Sequence, residues 1–269
     1  MRKIFLTSLV ISSLLTASAQ TTKEERKQAK REKINALIKQ EEEGVIAYRK
    51  HTIFGIKLTN DGYGAFLDFG RGQSITKALL FQIDFSERKH AKEDKQTNPF
   101  IPTTPYIYGK INFFYPLKLG VQQQVLLGNK SNKNGVSVTG NFGGGISLAL
   151  LRPYMLDVFD TAIGRRRNIK YESADSSLFT DNSRLLNPND LSVSGPRLGS
   201  GWSQMKVTPG LYVKAAVRFD YARFNEVVNG LEVGVNAEYY TKAIPQIVFV
   251  EYNRFFANIY VAILFGKRK

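Results

Sequence analysis

The stretch Leu211-Tyr-Val-Lys-Ala-Ala-Val-Arg-Phe-Asp-Tyr221 decides the fold. Leu211, Val213, Ala215, Val217, Phe219 and Tyr221 fall on one side of a two-residue repeat. Tyr212, Lys214, Ala216, Arg218 and Asp220 fall on the other. A strand sends alternate side chains to opposite faces, whereas a helix of period 3.6 would mix the two sets. Leu231, Val233, Val235, Ala237 and Tyr239 repeat the pattern against Glu232, Gly234, Asn236 and Glu238. Phe255, Ala257, Ile259, Val261, Ile263 and Phe265 repeat it again.

Five earlier runs carry the same period. Phe54, Ile56 and Leu58 alternate with Gly55, Lys57 and Thr59, ahead of a turn at Asn60-Asp61-Gly62. Gly62 is expected to supply the positive φ of a tight hairpin there. Tyr63, Ala65, Leu67 and Phe69 follow, with Phe66 and Asp68 between them. After Arg71-Gly72-Gln73 come Leu79, Phe81, Ile83 and Phe85 against Leu80, Gln82, Asp84 and Ser86. Residues 87–105 are polar and contain prolines, and read as a loop. The fourth run sets Ile107, Ile111, Phe113, Tyr115, Leu117, Leu119 and Val121 against Tyr108, Lys110, Asn112, Lys118 and Gln122. The fifth sets Val136, Val138, Phe142, Ile146, Leu148 and Leu150 against Ser137, Thr139, Asn141, Gly143, Gly145 and Ser147. Residues 152–205 read as one long irregular loop, a length usually tied to function.

The runs are mostly roughly nine to fourteen residues long, nearer the 9–11 of a membrane strand than the 5–6 of a soluble sheet. The fold expected is therefore all-β: a single antiparallel up-and-down transmembrane β-barrel of about eight strands over 50–269. An even strand count brings both termini to one side, the periplasm. The connections after strands three, five and seven are then extracellular and long, and those after strands two and six short, as in such barrels; the one after strand four is medium-sized and fits less well, and the one after strand one is short but outside.

The apolar face should meet lipid, and its aromatics gather near strand ends: Tyr63, Phe85, Tyr115, Tyr221, Tyr239 and Phe265. The other face carries Lys57, Asp68, Asp84, Lys110, Lys118, Lys214, Arg218, Asp220, Glu232 and Glu238. Charges taken out of water need partners, so a salt-bridged lumen is expected. The hairpin of strands six and seven should set Lys214 and Arg218 near Glu238 and Glu232. An eight-stranded barrel leaves a lumen that side chains can fill, which argues against a broad pore. The rival fold is a soluble ligand-binding barrel with its faces inverted; the scarcity of charge on the apolar face stands against it.

The N-terminal segment belongs to export. Arg2 and Lys3 precede an apolar run of about 14 residues ending in Ala17-Ser18-Ala19, the pattern of a signal peptide over 1–19. Residues 20–49 read as a charged periplasmic helix or linker, with a capping box at Thr22 and Glu25 and a narrow apolar seam of Ile34, Leu37 and Ile38. The chain has no cysteine, so no disulfide framework and no lipidated thiol are expected. The net charge of +15 points, on an exported protein, to outer-membrane lipid and lipopolysaccharide rather than to nucleic acid.

Several short segments bear a family resemblance. Gly143-Gly-Gly-Ile-Ser-Leu-Ala-Leu-Leu-Arg-Pro-Tyr154 resembles a recurring segment of outer-membrane β-barrel proteins of the Bacteroidota. Val207-Thr-Pro-Gly-Leu-Tyr-Val-Lys214, Lys242-Ala-Ile-Pro245 and Ile263-Leu-Phe-Gly-Lys267 do the same. The similarity covers most of the chain after about His51 and is to the PorT-like class, which includes a type IX secretion accessory protein. It implies an outer-membrane barrel and brings no catalytic residues.

No catalytic, cofactor or metal site is predicted. His51 lies at the periplasmic start of strand one and His90 in a charged loop, and two isolated histidines make a poor metal site. Gly143-Gly144-Gly145 lacks the helix and Gly-Lys that a phosphate loop needs, and reads as close strand packing. Arg165, Arg166 and Arg167 are candidate contacts for lipopolysaccharide phosphates or a partner. Trp202 is a candidate anchor to the interface or to a partner, or packs the loop onto the rim. The leading expectation is a non-enzymatic outer-membrane protein, structural or accessory to a surface or secretion assembly, with partners on the long loop or the N-terminal helix. The alternatives are a narrow channel for ions or small solutes and a lipid-modifying enzyme at the rim.

Overall fold

The first and last barrel strands find each other and close the wall. In chain order the strands are β1 (Lys50–Thr59), β2 (Gly62–Gly72), β3 (Lys77–Arg88), β4 (Lys95–Gln96), β5 (Tyr106–Ile107), β6 (Asn112–Gly128), β7 (Ser137–Pro153), β8 (Leu156–Asp160), β9 (Arg165–Ile169), β10 (Leu191–Ser194), β11 (Lys206–Asp220), β12 (Val227–Ile244) and β13 (Asn253–Arg268). Eight of them form a closed antiparallel barrel in the order β1-β13-β12-β11-β7-β6-β3-β2. The computed structural model describes residues 27, 28, 30–32, 35, 50–74, 76–97, 104–130, 135–160, 164–171, 191–222 and 226–268. Residues 1–19, where a signal peptide is expected, and most of residues 20–49 lie outside that set; Lys27, Gln28, Lys30, Arg31, Glu32 and Asn35 are helical and exposed.

Antiparallel neighbours alternate in direction, so the connections sort to two ends. The first residue of β1 and the last of β13 share one, the terminal end, with the connections 73–76, 129–136 and 221–226. The other, the loop end, gathers the turn at Asn60 and Asp61 and the connections 89–111, 154–205 and 245–252. The two long connections, 89–111 and 154–205, share this end as read from the sequence, whereas 129–136 at the terminal end is as long as 245–252 at the loop end.

The two-residue period survives folding strand by strand. β1 alternates exposed Phe54, Ile56 and Leu58 with buried Ile53, Gly55 and Lys57. β11 does the same with Leu211 and Val213 outside and Tyr212 and Lys214 inside. Leu58 is 68% exposed and Leu211 66%, whereas Asp68 and Glu232 are 0% exposed. Apolar groups face outward and charges inward, the reverse of a water-soluble barrel.

Three expectations need correction. Gly62 does not have positive φ; a Cβ there would lie 1.9 Å from the carbonyl oxygen of Glu87, so glycine is required by strand approach rather than by turn conformation. The fourth barrel strand begins at Asn112, and Ile107 and Ile111 are buried in the connection before it, not set on the outer face. The stretch 152–205 is not one irregular loop. β7 runs on to Pro153, and β8, β9 and β10 form a three-stranded sheet in the order β10-β8-β9.

That sheet is part of a folded head on the loop end. Tyr106, Ile107, Tyr154, Leu156, Val158, Ile169 and Val193 make an apolar core of their own. Backbone bonds tie the connections together: Tyr154 N to Ile111 O at 2.8 Å, Gly195 N to Thr104 O at 3.0 Å, Ile111 N to Gln246 O at 2.7 Å and Val248 N to Gly109 O at 2.8 Å. The two-residue strands β4 and β5 are too short to bury apolar surface alone; Tyr106 and Ile107 of β5 do so by packing with Leu156, Val158, Ile169 and Val193 of the β10-β8-β9 sheet.

Candidate functional site

Inside the barrel, carboxylates and cations meet across the lumen. Lys57 of β1 donates to both oxygens of Asp84 on β3, at 2.7 and 2.6 Å. Asp68 of β2 accepts from Gln82 at 2.8 Å and from Arg218 of β11 at 2.6 Å. Arg218 also grips Glu232 of β12 through Nε at 2.8 Å. Glu232 is held by Lys214 at 2.9 Å, by the Tyr260 hydroxyl at 2.6 Å and by Asn141 at 3.1 Å. Glu238 receives Lys118 at 2.7 Å, Arg88 at 3.3 Å and the Tyr240 hydroxyl at 2.6 Å.

The ends continue the pattern. At the loop end Arg88 also binds Asp61, and at the terminal end Arg268 meets Asp220 at 2.6 Å. Each charge has an opposite neighbour, so burial strengthens the attractions instead of leaving bare ions. Aromatic rings fill the space between: Lys214 lies 4.8 Å over Phe66 and 5.2 Å over Tyr260, and Arg88 lies 4.9 Å over Phe256. Interior glycines make room for these groups; a Cβ on Gly120 would sit 2.4 Å from the Tyr212 hydroxyl.

Nine of the ten charges assigned to the lumen from sequence lie there. Lys110 stands in the connection before β6, buried, and binds Glu93 of the same connection at 2.5 Å. Glu238 does not join Lys214 and Arg218. In the β11–β12 register Glu232 faces Arg218, Tyr212 faces Glu238 and Asn236 faces Lys214, so Glu238 turns to Lys118 and Arg88 from β6 and β3. Arg88 is the next inward position after Ser86, but it lies within the polar stretch from Glu87 that reads as a loop in the sequence. Tyr240 likewise lies one residue beyond the run that ends at Tyr239. Asp61 and Glu93 carry no periodic signal.

In the head, the arginine triplet is divided. Neighbours on a strand point to opposite faces, and β9 sends Arg166 to Asp157 at 3.0 Å, beside Arg197 at 2.7 Å from the same oxygen. The three guanidinium groups therefore do not converge on one anion. Trp202 lies on the barrel wall: it stacks on Tyr115 at 5.9 Å, and the Arg152 guanidinium sits over both rings, 5.1 Å from Trp202 and 5.7 Å from Tyr115. Arg152 also donates to the Tyr115 hydroxyl at 3.1 Å. Phe85 continues the stack 6.0 Å from Tyr115. Of the two histidines, His51 is buried at the terminal end and His90 is in the connection after β3. Among the described residues no group of three or more acids and histidines is placed to hold a metal.

These features define a closed eight-stranded antiparallel barrel with an ion-paired lumen, an apolar outer wall and a folded head at one end. The N-terminal β-barrel domain of Pseudomonas aeruginosa OprF is similar over 81% of this chain and 98% of its own, with a TM-score of 0.34 and 8% identity. Neisserial surface protein A matches over 81% and 94%, with a TM-score of 0.32 and 12% identity. Ail of Yersinia pestis, solved with the heparin analogue sucrose octasulfate, matches over 81% and 95%, with a TM-score of 0.32 and 9% identity. No family model and no curated protein matches the sequence.

Proposed function

We propose that this chain is a non-enzymatic outer-membrane protein in which the barrel is a membrane strut and the head is the working surface, structural or accessory to a cell-surface or secretion assembly. The observation that carries this reading is the pairing of a filled lumen with an outer wall of exposed Phe, Leu, Ile and Val. Such a wall in water would cost about 25 cal/mol for each Å² of apolar surface, and hydrocarbon removes that cost. Both termini then lie in the periplasm and the head outside the cell. A lumen packed with paired side chains supports the strut over a conduit.

The head suits contact because its own core keeps it folded beyond the membrane, while its surface carries Arg165, Arg166 and Arg197 for anionic groups of lipopolysaccharide or of a protein partner. The resemblance to PorT-like barrels implies an outer-membrane barrel. Two measurements test the reading. In planar bilayers the purified chain should give no steady conductance; regular current steps would favour the channel instead. Photo-crosslinkers on the head should capture one discrete partner in intact cells where crosslinkers on the wall capture none; labelling equal at both places would end the assignment of the head.

A further inference from the structure

Four neighbouring strands end alike. On β13, β1, β2 and β3 the outward residues run apolar toward the terminal end, Thr52 excepted, and then stop on a cation. Lys267 follows Ile263 and Phe265; Lys50 lies beyond Phe54; Arg71 follows Leu67 and Phe69; Lys77 lies beyond Leu79 and Phe81. All four cations are exposed. Lys50 stands directly opposite Arg71. Lys267 pairs with Thr52 and so sits diagonal to Lys50; Leu79 pairs with Arg71 and so sets Lys77 diagonal to it. Like charges in these positions repel, and their side chains make no ion pair or hydrogen bond with the described residues. The other half of the rim differs: Leu127, Val136, Phe219, Tyr221 and Val227 are its outward residues. Glu226, next to Val227, is the exposed carboxylate bordering the patch beyond Lys267.

We propose that this cationic edge is a docking face for the phosphates of anionic phospholipid in the leaflet at the terminal end. The inference rests on the membrane reading above. Lys and Arg lay their stems along apolar wall and lift the charge to the headgroup level. Arg71 offers a fork that grips phosphate in two places, and the lysines act as point charges. Four adjacent strands at 4.7–4.9 Å spacing spread the cations over about 15 Å, wide enough to collect more than one phosphate. Counter-anions there relieve the Lys50–Arg71 repulsion that the fold leaves in place.

The test is native mass spectrometry of the full chain released from a neutral detergent, titrated with phosphatidylglycerol or with phosphatidylcholine. The wild type should retain phosphatidylglycerol in preference. K50Q/R71Q/K77Q/K267Q should lose the preference, by about fivefold for each cation removed, while K89Q/K206Q/K242Q/R254Q at the loop end should keep it. The mobility difference between unheated and boiled samples reads folding, and K50Q/R71Q alone is the milder variant. An unchanged preference in the rim variant, an equal loss in the loop-end variant, or displacement of the lipid by inorganic phosphate overturns the proposal. A folded chain that needs detergent yet shows no preference loses this inference alone; one that stays soluble without detergent loses the membrane reading with it.

Discussion

The lumen and the head are both buried interiors, built by opposite means. The lumen buries Lys57, Lys118, Lys214, Arg218, Asp68, Asp84, Glu232 and Glu238 and satisfies them against each other. The head buries Tyr106, Ile107, Tyr154, Leu156, Val158, Ile169 and Val193 in a cluster of the usual apolar kind. On the membrane reading proposed above, the contrast follows from what lies outside each. A wall in lipid has its apolar residues drawn outward and leaves polar ones for the inside, whereas a head in water draws its apolar residues inward. One chain thus holds an inside-out protein and an ordinary one, joined where β6 and β7 leave the barrel.

The sharpest way to break that contrast is to remove one lumen charge. Glu232→Ala leaves Lys214 without its carboxylate and Arg218 with Asp68 alone, and should cost about 3–5 kcal/mol, measured by urea unfolding in micelles with the unheated-versus-boiled gel shift as readout. A cost under about 1 kcal/mol, the size of a surface pair, would mean the lumen is wet. The matching change in the head is Leu156→Ala. It should cost about 2–5 kcal/mol in the head alone, so that limited proteolysis cuts residues 154–205 while the barrel keeps its gel shift. Barrel and head failing together would merge the two regions into one cooperative unit.

Smaller effects sharpen the boundary. Trp202 is the sole tryptophan of the chain, so its emission reports whether the head sits on the wall. Arg152→Ala removes the guanidinium over the Trp202 and Tyr115 rings, a contact of about 0.5–1 kcal/mol, and should shift that emission to the red; an unmoved spectrum would show that Arg152 does not hold the stack. The smallest effect is one of pH. Burial pushes the Tyr154 phenol from 10.0 up to about 12, against a smaller opposing effect of the Ile107 N–H that it accepts. The folded head keeps a proton that the unfolded head gives up in this range. The contribution of Tyr154 is therefore whole below pH 10.0 and falls as pH rises toward about 12. The difference in tyrosinate absorbance between wild type and Tyr154→Phe should appear only toward the upper end of that window; ionisation near 10.0 would place Tyr154 in water.

Much of the barrel was legible because strand alternation is local. Phe54, Leu211 and Ile259 reveal their face from their immediate neighbours, and the register follows once lengths and turns are counted. The same rule, carried one step further, reaches Arg88 and Tyr240. The head was not legible, since β4, β5, β8, β9 and β10 are two to five residues long, too brief for a period to show. Their apolar residues gain meaning only from segments distant along the chain, as when Val193 meets Val158 across the β10–β8 pair.

The amino-acid order alone determined a closed wall with hydrocarbon-loving and charged sides, because those two sides are written at every second position. Only the tertiary structure decided which charges pair. Glu238 goes to Lys118 and Arg88 rather than to its hairpin neighbours, because barrel closure brings β3 and β6 across from β12 while the β11–β12 register sets Tyr212 opposite Glu238. Distances across a lumen depend on closure and stagger, which no short stretch of chain encodes.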